Sequence, residues 1–179
     1  MHYRSVIEFW FAELSSSDWF ACSDELDSKI IRRFGDIHRA AVAGELYSWR
    51  HQALGRLAEI IVLDQFSRNI FRGTSGAFAA DGQALILAQE AIRAQADVEL
   101  NKKQRLFLYM PYMHSESVAI QNASLRLFET LGLEDNYRFA VAHQQIISRF
   151  GRYPHRNAIL GRPSSSEEVA FLKEAGSAF

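Results

Sequence analysis

Three short segments carry side chains of the kind that grip charge or move protons. The first is Asp64-Gln65-Phe66-Ser67-Arg68-Asn69-Ile70-Phe71-Arg72-Gly73. On an α-helix Gln65, Arg68, Asn69 and Arg72 fall at i, i+3, i+4 and i+7, so they form one polar stripe while Phe66 and Ile70 turn toward a core. Guanidinium groups fork onto carboxylate or phosphate oxygens, and amides beside them orient neutral hydrogen bonds. Such a stripe along a cleft would hold an anionic group. The plainer reading is an Asp64–Arg68 pair on a solvated face, worth about 0.3 kcal/mol.

The second segment is Pro111-Tyr112-Met113-His114-Ser115-Glu116. In a regular helix His114 and Glu116 diverge, so they are no two-ligand metal face. After a proline break they can converge, with Glu116 orienting the imidazole for acid–base work. The competing reading makes Ser115 a helix cap, Glu116 a first-turn acid and His114 a partly buried donor.

The third runs from Arg149 through Gly151-Arg152-Tyr153-Pro154-His155-Arg156-Asn157 to Gly161-Arg162. Aromatic and aliphatic residues interrupt its arginines, so it is no solvated basic run. The glycines let the backbone bend, and Pro154 stiffens the stretch between them. This loop either clamps the protein through Arg–carboxylate bonds or presents a cationic pocket to an anion, since both use one geometry. Asp64, Asp81 and Glu116 are candidate internal partners.

Composition bounds what those groups can be asked to do. The chain has 179 residues, 48% hydrophobic and 23% charged, with a net charge of −1. That is the mix of one ordinary globular domain, taken as residues 1–179, with no global pull toward nucleic acid. Sixteen of the twenty basic residues are arginine, a bias that solubility does not require. Charge is also segregated. Residues 1–30 hold six acids against Arg4 and Lys29, a net of −4, whereas residues 136–166 hold five arginines and no acid, a net of +5. Two such ends would dock on each other or on outside partners. One basic loop is no track with stacking aromatics, so nucleic acid is not expected.

The lone Cys22 excludes an internal disulfide and fits a reducing compartment. Acids flank it and disfavour a reactive thiolate. Glu8 and Glu13 interrupt the first apolar stretch, which reads as no signal peptide, and no apolar run approaches the ~20 residues of a membrane span. The cytoplasm is the expected location. No nucleophile elbow, phosphate-cradling glycine loop, zinc spacing or dinucleotide fingerprint occurs, so no metal or cofactor is expected.

These groups must be positioned by helices, because helical periodicity runs from end to end without competing strand alternation. The pattern predicts about eight: near residues 5–14, 24–43, 48–69, 81–96, 101–113, 115–131, 134–150 and 166–175. Ser23 or Asp24 caps the second and Asp81 the fourth. Pro111 kinks or stops the fifth. Residues 57–63 are apolar nearly all round, which places that helix at the centre. Short connections imply antiparallel hairpins around one core, with no clean repeat at a tetratricopeptide period.

The sequence resembles the bacterial domain-of-unknown-function family 924 over nearly its whole length. The likeness lies in Phe9-Trp10-Phe11, Trp19-Phe20, Asp64-Gln65-Phe66, Arg68-Asn69, Phe71-Arg72-Gly73 and Asp81. It resumes at Pro111, His114-Ser115-Glu116, His143, Phe150-Gly151-Arg152-Tyr153-Pro154, Arg156-Asn157 and Leu160-Gly161-Arg162. Ser67 stands where that family would have proline. The resemblance implies an all-α, tetratricopeptide-like array of hairpins and implies no activity.

Function is therefore read from residue chemistry. The first expectation is a binding module, with Asp64, Gln65, Arg68, Asn69, Arg72, Arg152, Arg156 and Asn157 lining a groove. The guest would be a carboxylate, an acidic peptide or a phosphorylated metabolite. One alternative is a purely structural Arg–carboxylate network. Another is an enzyme on a small anionic substrate, with His114 or His143 as acid–base group and Glu116 or Asp64 as its orienting partner. The sequence leaves the oligomeric state open.

Overall fold

A computed structural model of the protein describes residues 2–177, and the described residues are all-α, with no strand among them. Contacts divide the chain into two compact units, Met1–Arg72 with Gly76–Pro111, and Gly73–Ser75 with Tyr112–Phe179.

In the first unit, α1 (Tyr3–Glu8) passes into a π-helical turn, Phe9–Glu13, and Val6, Phe9 and Trp10 are buried. The α2 helix (Asp24–Val42) starts where Ser23 accepts a hydrogen bond from the Leu26 N–H, and it buries Ile30, Phe34, Ile37 and Ala41. Gly44, at φ +76°, turns the chain after it. The expected helix over residues 48–69 is broken into pieces. A 3₁₀ turn (Tyr47–His51) precedes α3 (Ala53–Ile61), a π-helical turn (Val62–Phe66) follows, and α4 (Ser67–Ile70) ends the run. The first break lies at Gln52, which is extended, and Gly55 permits the tight return, because a Cβ there would sit 2.0 Å from the Trp49 carbonyl oxygen. The apolar stretch is central as expected: Leu57 to Leu63, Glu59 included, are fully buried.

Helix α5 (Asp81–Arg93) begins at Asp81 itself, with Ala80 as a cap that makes no side-chain bond. Asp81 is therefore not a cap, and its carboxylate goes to Arg68 instead, at 3.0 Å. Asn101 and Gln104 exchange side-chain and backbone bonds, both 3.0 Å, at the start of α6 (Lys102–Met113). Pro111 does not stop α6, which runs on through it to Met113 without the bond that a residue N–H there would give the Phe107 carbonyl.

In the second unit, α7 (Val118–Leu131) and α8 (Glu134–Phe150) form a hairpin through Gly132, which sits at φ +67°. After Gly151 come a 3₁₀ turn (Pro154–Arg156) and α9 (Ser166–Phe171). Ser165 and Glu168 make a full capping box there. Ile146, Ile147 and Tyr153 form a small core that Phe150 and Phe171 flank.

Candidate functional site

The first polar segment is shaped by its π-helical turn. Such a turn widens the helix by one residue, so Asp64 and Gln65 both point inward, at 0% and 6% exposure. The Gln65 amide donates to the Asp64 carboxylate and to Met110 Sδ, the latter at 3.7 Å. Arg68 donates to the Asp64 carbonyl at 2.6 Å, approaches the Asp64 carboxylate at 3.2 Å, and forks onto both Asp81 oxygens at 3.0 and 3.2 Å. Asn69 and Arg72 turn to another carboxylate, Asp27 on α2. Asn69 Nδ2 donates to it at 2.8 Å, and Arg72 forks onto it at 2.5 and 2.8 Å. Burial pushes the Asp27 carboxyl up, but Arg72 and Asn69 outweigh that and hold it below the usual range. Arg72 also reaches Cys22 Sγ at 3.6 Å.

The expected stripe is thus split among three carboxylates: Asp64 in the widened turn, Asp81 on α5 and Asp27 on α2. The Asp64–Arg68 pair exists, but its acid is buried rather than solvated. Ser67 Oγ donates to the Leu63 carbonyl at 2.6 Å, and His38 Nε2 lies 2.8 Å from it. A side chain thereby bonds a carbonyl within the widened turn.

The second unit holds the remaining candidates. Glu116 accepts from the Tyr153 N–H at 2.8 Å and from Arg162 at 2.6 and 2.9 Å. Burial raises its carboxyl, yet Arg162 and the Tyr153 N–H together keep it below its ordinary value. Glu116 bonds to no imidazole among the described residues, so its orientation serves the loop. Arg152 forks onto Glu168 at 2.6 and 2.8 Å. That fork, with the Ser165 N–H, takes the Glu168 carboxyl down to about 2. Asn157, 1% exposed, accepts from Arg162 at 3.0 Å and donates to Ser164 at 3.1 Å.

Around Tyr153 the chemistry differs. The Arg156 guanidinium lies 4.6 Å above the Tyr153 ring, and the His143 and His155 rings pack on the same tyrosine at 5.6 and 5.4 Å. His143 Nδ1 donates to the Phe139 carbonyl at 2.7 Å, which fixes the hydrogen on Nδ1 in the neutral ring. Burial holds His143 down to about 3, partly opposed by that carbonyl and reinforced by the charges of His114, His155 and Arg156. Burial and Arg156 hold His155 down to about 4. At neutral pH the group is one cation and two neutral imidazoles.

Gln121 and the Tyr153 hydroxyl belong to the same cluster and carry no motif signal that marks them. Gln121 Nε2 donates to the carbonyls of Met113 and Ser115, both at 2.7 Å, and to the Tyr153 hydroxyl at 2.8 Å. Tyr153 in turn donates to the Met113 carbonyl at 2.5 Å. Together they satisfy carbonyls that the end of α6 leaves without intrahelical partners. Asp27 and Glu168 were equally silent as partners, since each lies far along the chain from its arginine or in another element. Among the described residues no group of three or more His, Cys, Asp or Glu is placed to hold a metal ion. No described helix is long and apolar enough to cross a membrane.

An all-α chain with these segments matches the model of a family described as bacterial protein of unknown function, DUF924, over residues 6–176. The protein belongs to that family. A solved structure of a protein of unknown function, ATU0120 from Agrobacterium tumefaciens, is similar to it at 38% identity, covers 97% of each chain and superposes with a TM-score of 0.92. Comparison with curated proteins gave no match.

Proposed function

We propose that the signature arginines are internal fastenings, an Arg–carboxylate network that fixes helices in the first unit and a loop in the second. One observation carries this reading: Arg68, Arg72, Arg152 and Arg162 each fork onto a carboxylate of their own unit. A guanidinium so engaged must surrender a charge-assisted pair before it can hold an outside anion. Thermal unfolding of Arg72→Ala, Asp27→Ala and the double variant, with and without phosphate or citrate, tests it. Each single variant should unfold earlier, the pair should be less than additive, and neither anion should shift the midpoint. An anion-dependent rise in the parent that Arg72→Ala abolishes would refute the network and restore the groove.

A second reading rests on Arg156, buried beside Tyr153 and two neutral imidazoles. It narrows an anion-binding role to a small carboxylate, an acidic peptide end or a phosphorylated metabolite at that cluster, with Asn157 alongside. An Arg156→Gln variant that folds but no longer gains stability from such a compound supports it. Proton transfer falls to His114 in this scheme, because an imidazole held near 3 is a weak base at neutral pH. His114→Ala should then abolish turnover while ligand stabilisation persists. A cytoplasmic location and a tetratricopeptide-like role for the helical hairpins complete the proposal, supported by the single cysteine and the family likeness.

A further inference from the structure

Phe107, 1% exposed, is the hub of an aromatic group in the first unit. Trp10, Phe11 and Trp19 meet it edge-on at 5.4, 5.6 and 4.9 Å, and Phe20 stacks parallel to it at 6.5 Å. The inner rings are core. Phe20 is 61% exposed, with Phe11 and Trp19 half-buried beside it. The segment that presents Phe20 is built to hold still. Asp18 accepts from the Ser15 N–H and hydroxyl at 2.7 and 2.6 Å, and Trp19 Nε1 donates to the Trp10 carbonyl at 2.8 Å. An ordered aromatic patch left to solvent costs the fold and marks a contact surface.

Charge selects the occupant. Asp24 and Glu25, which follow Phe20 closely, are exposed and form no ion pair among the described residues, and the same is true of Glu8. Three cations of these elements have a carboxylate of their own: Lys29 and Arg33 pair with Glu13, and Arg72 pairs with Asp27, so none of the three is bound to Asp24 or Glu25. A second copy of the chain would set this acidic rim against itself. A guanidinium suits both halves, since it stacks on aromatic faces and bonds carboxylates. We infer that the Phe11–Trp19–Phe20 patch with its Asp24–Glu25 rim docks an arginine-bearing peptide segment of a partner protein.

The test uses tetra-arginine as probe and tetralysine as its equal-charge control, followed by tryptophan fluorescence and by backbone amide shifts. Tetra-arginine should perturb residues 18–25 and bind about fivefold tighter than tetralysine, as a stacking contribution of this kind requires. Phe20→Ser, checked for folding by circular dichroism, should weaken binding about tenfold, the scale of one lost cation–π contact with its burial. Asp24→Asn with Glu25→Gln should weaken it and flatten its salt dependence. The inference is overturned if shifts fall elsewhere, or if Phe20→Ser and tetralysine leave binding unchanged. It is equally overturned if the patch instead drives self-association that Phe20→Ser abolishes.

Discussion

The two units use one kind of bond for different ends. In the first, Arg72 and Asn69 reach a carboxylate more than forty residues back, on α2, so the ion pair joins helices that hydrophobic packing has already brought together. In the second, Arg152 and Arg162 fasten the loop between α8 and α9, which buries Tyr153 and Pro154 but leaves Ala158 and Ile159 exposed. The pair between packed helices is costly to break, because Asp27 is the shared acceptor of Arg72 and Asn69. A pair that pins a loop fails more gently. The second unit also buries imidazoles that must stay neutral, which the first does only at His38, where burial again lowers the basicity. The lesson is that an arginine-rich signature need not describe one site. Its energetic meaning depends on what surrounds each fork.

Breaking that contrast starts with Asp27. Asp27→Ala should cost about 3 kcal/mol in chemical denaturation, because it takes the charged acceptor from both Arg72 and Asn69. Glu116→Ala should cost about 2 kcal/mol, because Arg162 and the Tyr153 N–H lose a charged acceptor while Arg162 keeps Asn157 and the Tyr153 carbonyl. If Glu116→Ala proves the more damaging, the distinction between helix ties and loop ties is wrong.

Acid sharpens the contrast further. His143 sits near 3 when folded, against an ordinary value of 6.5. The unfolded chain therefore binds its proton first, so this contribution to stability is complete above about pH 6.5 and is lost as pH falls from there toward 3. His143→Gln should flatten the stability–pH curve by about 1 kcal/mol per pH unit between pH 6 and pH 5, measured by urea unfolding at each pH. Glu168 acts with the same sign at lower pH. Its depressed carboxyl stabilises the fold above its ordinary value of 4.5, and that stability drains away toward about 2. The smallest effect belongs to Arg149, whose pair with Glu167 at 3.0 Å is open to solvent. Arg149→Ala should cost about 0.5 kcal/mol.

Much of the fold was legible because it rests on local rules. The Ser23 cap, the α7–α8 hairpin around Gly132 and the centrality of residues 57–63 follow from capping chemistry, a left-handed glycine and apolar periodicity. The chemistry of the polar segments was legible, but its addresses were not. Asp27 lies in an acidic stretch where nothing marks it apart from Asp24, and only tertiary packing selects it for Arg72. Asp81 resembles a helix cap and spends its carboxylate elsewhere. Glu116 looks poised for His114 and goes to Arg162, because the loop brings that guanidinium across forty-odd residues. Gln121 and Tyr153 sit in no catalytic pattern, since they answer unpaired carbonyls that become apparent only once α6 has an end. The break before α3 was not legible, because the close approach of the Trp49 carbonyl to Gly55 exists only in the folded chain.

The widened turn at Val62–Phe66 amounts to one surplus residue spliced into a helix, and the turn absorbs it so that the coil on either side keeps one phase. Excising a single amino acid there would let the coil close to its regular pitch while Arg68 and Arg72 stay aimed at Asp81 and Asp27. The same excision one turn earlier, within Ala53–Ile61, would swing every downstream side chain by roughly 100° unless the bulge took up the loss. The turn is thus a place where chain length can give way, and a one-residue deletion there should harm the arginine forks less than substitution of their carboxylates.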